Sequence, residues 1–81
     1  MGPSVYLTNT EGTAYKMYQA EVVESQDQEK KYDVIFTYGR IYGHKSKYRG
    51  NKIPLDYSDA MHLLQNQVYK KIRKGYQINE R

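Results

Sequence analysis

Cysteine and tryptophan are absent from this 81-residue sequence, and proline occurs only twice. Without cysteine there is no disulfide framework and no thiolate metal site. That fits a reducing compartment, so an intracellular, cytoplasmic location is expected. Long apolar runs are also missing. Nothing approaches the ~18 residues of a membrane span, no signal-peptide core follows Met1, and no membrane contact is expected. Acids are scarce in one part only. Residues 1–29 hold five acids and a single base, Lys16, whereas residues 30–81 hold four acids and twelve bases. Charge segregated in this way suggests a basic patch and a polyanionic partner.

The usual catalytic signatures are lacking too. His44 and His62 have no cysteine partner and no HExxH spacing. There is no serine nucleophile elbow, no Walker loop and no GxGxxG. Asp56 and Asp59 are explained by helix capping. The sequence therefore predicts no enzyme, no metal and no cofactor.

What is abundant is tyrosine, which makes up ten of the eleven aromatics. Tyrosine pairs an apolar body with a polar tip, so it tolerates half-burial and favours interfaces. In one small domain several must still be core or rim residues, and Tyr18, Tyr32 and Phe36 are expected among them. A chain this short makes one domain, residues 1–81, that buries about 60% of its unfolded surface. A monomer is expected.

The stretch from Lys31 to Gly43 organises the rest. Tyr32, Val34, Phe36 and Tyr38 alternate with Lys31, Asp33, Ile35 and Thr37, the period of a strand with one buried face. Gly39 interrupts the pattern. It marks a bulge, a bend, or the close approach of another molecule. A second short strand is read after it, up to Gly43. Tyr38, Gly39 and Arg40 would present an aromatic face beside a guanidinium. That pairing suits a sugar-phosphate backbone, with the ring on a base or ribose and the guanidinium on phosphate.

Around this centre, Val5 to Thr8 reads as a strand, Asn9 to Gly12 as a turn, and Thr13 to Glu24 as a second strand with Tyr18, Ala20 and Val22 on one face. Met1 to Ser4 reads as a loose end, and Ser25 to Lys30 as a polar loop. His44 to Lys52 reads as a hairpin-like excursion that places Lys45, Lys47, Arg49 and Lys52 around Tyr48, a basic track able to follow phosphates. A short strand from Lys52 to Leu55 is expected next. Asp56 to Gly75 predicts one helix. Ala60, Leu64, Val68 and Ile72 recur every four residues as its apolar stripe. Lys70, Lys71, Arg73 and Lys74 crowd its last turn, and Gly75 is placed just past its end. Tyr76 to Ile78 closes as a short strand. The fold class is α+β: a small, mostly antiparallel sheet with one long helix on one face.

At Tyr38-Gly39-Arg40-Ile41-Tyr42-Gly43 the sequence resembles the WGR domain family, named for a Trp-Gly-Arg tripeptide. Tyr38 stands in the tryptophan position, and Gly39 and Arg40 match. The strand around Lys16 to Val22, the helix opening Ser58-Asp59-Ala60 and the close Lys71-Ile72-Arg73-Lys74-Gly75-Tyr76 extend the likeness over about residues 13–78. The resemblance implies an antiparallel sheet with one packed helix. WGR domains occur in DNA-damage-dependent poly(ADP-ribose) polymerases, where the motif contacts the DNA backbone near a break and helps relay that signal. They also occur in bacterial proteins similar to a molybdate regulator and as short stand-alone chains. Polymerase activity does not carry over, since no catalytic domain is here. Tyr38 keeps a stacking face but loses indole area and the indole N–H, so its contribution belongs at the low end of the ~1–3 kcal/mol per stacked base.

Two functions follow. One is a nucleic-acid-binding module without strong sequence specificity, with DNA favoured by resemblance alone. Its site would be Tyr38, Gly39 and Arg40, extended by Lys45, Lys47, Arg49 and Lys52, with Lys70, Lys71, Arg73 and Lys74 as a second patch. The other is a protein-interaction module in which the same Tyr-rich face and Arg40 dock an acidic partner or a neighbouring domain, which predicts an exposed apolar patch elsewhere and indifference to DNA.

Overall fold

The computed structural model describes residues 3–12 and 15–79. Five strands and one helix follow in the order β1 (Ser4–Asn9), β2 (Lys16–Glu24), β3 (Tyr32–Arg40), β4 (Lys45–Arg49), α1 (Tyr57–Arg73) and β5 (Gln77–Ile78). The strands form one antiparallel sheet in the order β4-β3-β2-β1-β5. The expected α+β class is the observed one. Met1 and Gly2 of the expected loose end, and Thr13 and Ala14 of the expected second strand, lie outside the described residues, while Ser4 already belongs to β1.

Register explains which side chains meet. Leu7, Tyr18 and Tyr38 stand opposite one another across three strands, as do Val5, Ala20, Phe36 and Tyr48 across four. Directly opposed residues point to one face, and the face alternates along each strand. The helix covers that face. Ala60, Leu64 and Val68 are buried against Leu7, Tyr18, Ala20, Val22, Val34 and Phe36. Each fully buried Leu or Val contributes about 1.5–3 kcal/mol, so this one layer carries the fold. The stripe ends one turn early: Ile72 is 39% exposed, and the last inward place at the helix end goes to the partly buried Lys71. Met17 is buried as well, on the face away from the helix.

The helix ends as its sequence prescribes. Gly75 sits at φ 104° just past the cap, its N–H donates to Ile72 O, and the Tyr76 N–H donates to Lys71 O. This is the Schellman arrangement, and glycine supplies the left-handed residue it requires. Asp56 holds the N-cap position, but its carboxylate makes no cap bond and pairs with Lys31 instead.

Three expectations around the central stretch are corrected. β3 does not end at Gly39; it runs straight through it to Arg40. Residues 41–43 form a turn, not a second strand, closed by the Gly43 N–H donating to Arg40 O over 3.2 Å. The basic excursion is itself a strand, β4, whereas Lys52 to Leu55 makes only a single bridge, Leu55 to Tyr32. Asn51 is the reason the chain leaves the sheet there. It is buried, and its Oδ1 accepts from the Val34 N–H at 2.9 Å in place of a strand carbonyl. Its Nδ2 donates to Asp33 Oδ1 at 2.9 Å and to Ile53 O at 2.8 Å.

Candidate nucleic-acid interface

The Gly39 end of the sheet meets the C-terminal end of the helix. Lys16, Tyr18, Tyr38, Gly39, Arg40, Lys71 and Tyr76 line one open cleft there of about 290 Å³. Alternation puts Lys16 and Tyr18 of β2 and Tyr38 and Arg40 of β3 on the helix side of the sheet, with Lys16 opposite Arg40 and Tyr18 opposite Tyr38. Lys71 enters from the helix and Tyr76 from the chain just after it. Among the described residues no carboxylate pairs with Lys16, Arg40 or Lys71.

The floor is aromatic and internally bonded. The Tyr18 and Tyr48 hydroxyls share a 2.7 Å hydrogen bond, and Gln67 Nε2 donates to the Tyr18 oxygen at 3.0 Å. Burial, helped by the bond to Tyr48, pushes the Tyr18 phenol far above its usual range, so it stays protonated. Tyr38 and Tyr48 stand edge to face at 5.8 Å between ring centres, both about half exposed. The Lys71 Nζ lies 4.6 Å from the Tyr18 ring centre and 5.7 Å from that of Tyr76. Such cation–π contacts hold an ammonium in place without neutralising it. Burial lowers the Lys71 pKa first, and repulsion from Lys74 and Lys16 lowers it further. Cations held together against their own repulsion gain most when an anion arrives.

Lys71→Met should therefore leave the melting temperature unchanged or raise it. Sign and window agree. A lysine with a lowered folded-state pKa costs stability while it is charged, and that cost fades only as pH rises through the folded value toward the ordinary lysine range near 10.5. A clear fall in melting temperature at neutral pH would mean that the contacts to Tyr18 and Tyr76 outweigh the repulsion.

The remaining candidate residues are distributed unevenly. Lys74 neighbours Lys71 electrostatically. Lys70 follows Gln67 by three residues and precedes Lys74 by four, so it shares their flank of the helix. Arg73 lies nine residues beyond Leu64, about two and a half turns, and so faces away from the sheet. Lys45 and Lys47 oppose Gly39 and Thr37, which places them on the sheet face away from the helix. Arg49 is engaged elsewhere: its guanidinium lies 3.5 Å from Asp27 and 3.8 Å from Asp33 and donates to Lys52 O. Arg49 opposes Ile35, about 13 Å along the strand from Gly39 at ~3.3 Å per residue, and its bond to Lys52 O keeps Lys52 at that end as well. Lys16 and Tyr76 were not singled out from the sequence as site residues. Lys16 was legible as the residue two before Tyr18, hence on its face; Tyr76 joins only through the helix-end turn.

Gly39 is a point of close backbone approach. A Cβ built on it would lie 2.3 Å from the His44 carbonyl oxygen and 2.9 Å from the Lys45 Cα. The backbone that comes close is the chain's own, where β4 begins.

The class these features define is a small α+β domain, one antiparallel sheet backed by one helix. The family model of the WGR domain matches residues 4–81, nearly the whole chain, and the chain belongs to the WGR domain family. Its domains are small nucleic-acid-binding modules that are not themselves catalytic. No curated protein and no solved structure matches the chain. Among the described residues no helix is long and apolar enough to cross a membrane.

Proposed function

We propose that this chain is a non-catalytic module that grips the DNA sugar-phosphate backbone at the Gly39 end of its sheet. One observation carries the reading. Three cations with no carboxylate partner among the described residues, Lys16, Arg40 and Lys71, converge with the Tyr38 and Tyr76 rings in one cleft. Arg40 pairs with a phosphate, Tyr38 packs on the adjoining sugar or base, and Lys74 and Lys70 continue the positive flank. Lys45 and Lys47 approach the same ligand around the β4 edge. Sequence specificity is weak, because the helix spends its apolar stripe on the sheet and offers no row of base-reading side chains. DNA over RNA rests on family membership.

The test is fluorescence anisotropy with blunt, nicked and single-stranded DNA at several salt concentrations. Affinity should fall with salt, at a slope of about −0.9 per phosphate neutralised on duplex. Arg40→Ala and Tyr38→Ala should each weaken binding, Arg40→Ala roughly ten-fold, as expected for one lost charge-assisted contact. Arg49→Ala should affect binding least, because Asp27 and Asp33 already hold that guanidinium. Binding indifferent to Arg40 and Tyr38 would remove the site.

A second reading, docking of a partner protein or neighbouring domain, has its own observation. On the opposite flank of the helix, Val5, Leu64, Val68, Tyr69, Ile72 and Ile78 line an apolar groove. Tyr69 and Ile78 are 64% and 60% exposed. This groove and the cleft share no lining residue, so Tyr69→Ala should leave DNA affinity unchanged.

A further inference from the structure

The outer edge of β4 carries backbone hydrogen-bonding groups that the nucleic-acid reading does not use. β4 ends the sheet, and among the described residues no strand lies beyond it. The bonds flanking its ladder fix which groups point outward. The Gly50 N–H donates to Val34 O and the Arg40 N–H to His44 O. Antiparallel pairs alternate between bonded and unbonded, so Phe36–Tyr48 and Tyr38–Ser46 exchange the ladder bonds. The backbone N–H and C=O groups of Lys45, Lys47 and Arg49 therefore face away from β3, at an open edge.

The side chains beside that edge differ between its two faces. On one side stand Lys45, Lys47 and Arg49; on the other stand Ser46 and the half-exposed Tyr48 next to Tyr38. Lys47 has no carboxylate partner among the described residues. Two copies joined by this edge would set lysine against lysine, which is how natural edges discourage self-pairing. A strand with carboxylates at every second position meets the opposite situation.

We infer that β4 accepts an extended acidic segment of a partner protein as a sixth strand. The partner's backbone bonds to Lys45, Lys47 and Arg49, its carboxylates lie beside Lys45 and Lys47, and its intervening apolar side chains rest on Tyr48 and Tyr38. The backbone bonds supply affinity and the alternation supplies selection. Lys45 and Lys47 are also within the proposed DNA footprint, so the acidic segment competes with DNA for this edge.

The probe is a ten-residue peptide alternating glutamate and valine, titrated into the 81-residue chain and followed by amide NMR and hydrogen exchange. The alternating peptide should slow exchange at the Lys45, Lys47 and Arg49 amides. An isomer of equal composition with its glutamates in one block should bind at least ten-fold more weakly. N-methylation of the peptide at the positions facing β4 should cost at least as much, since side chains and charge are kept and only the donors are lost. Lys47→Pro should weaken binding beyond Lys47→Ala, because proline also removes an outward N–H that the β3 ladder does not use. Equal affinity for alternating, block and N-methylated peptides would overturn the inference in favour of plain charge attraction. Absence of binding, or protection at the Tyr69 and Ile72 groove in place of β4, would overturn it as well.

Discussion

Gly39→Ala should lower the melting temperature by roughly 12–24 °C, the equivalent of about 3 kcal/mol in a domain of this size. Two effects add. The residue sits at φ 151°, a conformation that side chains rarely adopt, and the new methyl would lie 2.3 Å from the His44 carbonyl oxygen. The neighbour is backbone, so it cannot swing aside as a flexible side chain would. Relief requires β4 to move off β3, which displaces Tyr38 and Arg40 at the same time. DNA affinity should therefore fall together with stability. An alanine variant melting within about 3 °C of the parent, on the same conversion, would show that the two strands are not held this closely.

Asn51→Ala should cost about 2–4 kcal/mol by leaving the buried Val34 N–H unbonded and removing donors from Asp33 and Ile53. Here stability and affinity should separate. Asn51 lies at the Asp33 end of the sheet, far from the cleft, so DNA binding by the folded fraction should persist. Asn51→Asp sharpens the argument. It keeps the acceptor for Val34 but sets a second carboxylate beside Asp33 in place of a donor. Its pKa must then rise on folding, so the variant should be weakest near neutral pH and recover as pH falls into mild acid, where the new carboxyl is protonated. Thermal melts of Asn51→Asp across that range check the sign; a loss independent of pH would contradict it.

These two residues show what could be read from the chain and what could not. The buried face of β3 was plain in Tyr32, Val34 and Phe36, because every second residue is apolar. The helix was plain in Ala60, Leu64 and Val68 and in the Lys74-Gly75 ending. β4 was obscured because it is an edge strand: of Lys-Ser-Lys-Tyr-Arg only Ser46 and Tyr48 face the helix side, and a single aromatic is too little to show a period. Ile53 and Leu55 imitated a strand, yet Pro54 lacks an N–H and Asn51 has already turned the chain away. Asn51 read as a turn residue, and nothing local announces that its amide completes a ladder 17 positions earlier. The cleft was half legible. Tyr38, Arg40 and Lys71 stood out, but their meeting with Lys16 and Tyr76 depends on register and on where the helix ends.

The unequal charge halves of the sequence become a partial spatial separation in the fold, with Lys30, Lys31, Arg49 and Lys52 offsetting some of the acids at one end. β2 begins at Lys16 beside Arg40 and Lys71 and ends at Glu24 beside the loop that carries Asp27 and Glu29. Eight residue steps of strand, about 26 Å at ~3.3 Å per residue, separate the poles. Such a molecule has a dipole, and an approaching polyanion exerts a torque on it before any contact forms. Encounters then begin with the cleft already leading. The association rate should carry most of the salt dependence, since the Debye length at 0.1 M, about 10 Å, is shorter than the dipole. The dissociation rate should instead report on Arg40. On the proposed DNA reading, orientation at low salt is settled in solution, and the contacts decide how long the complex lasts.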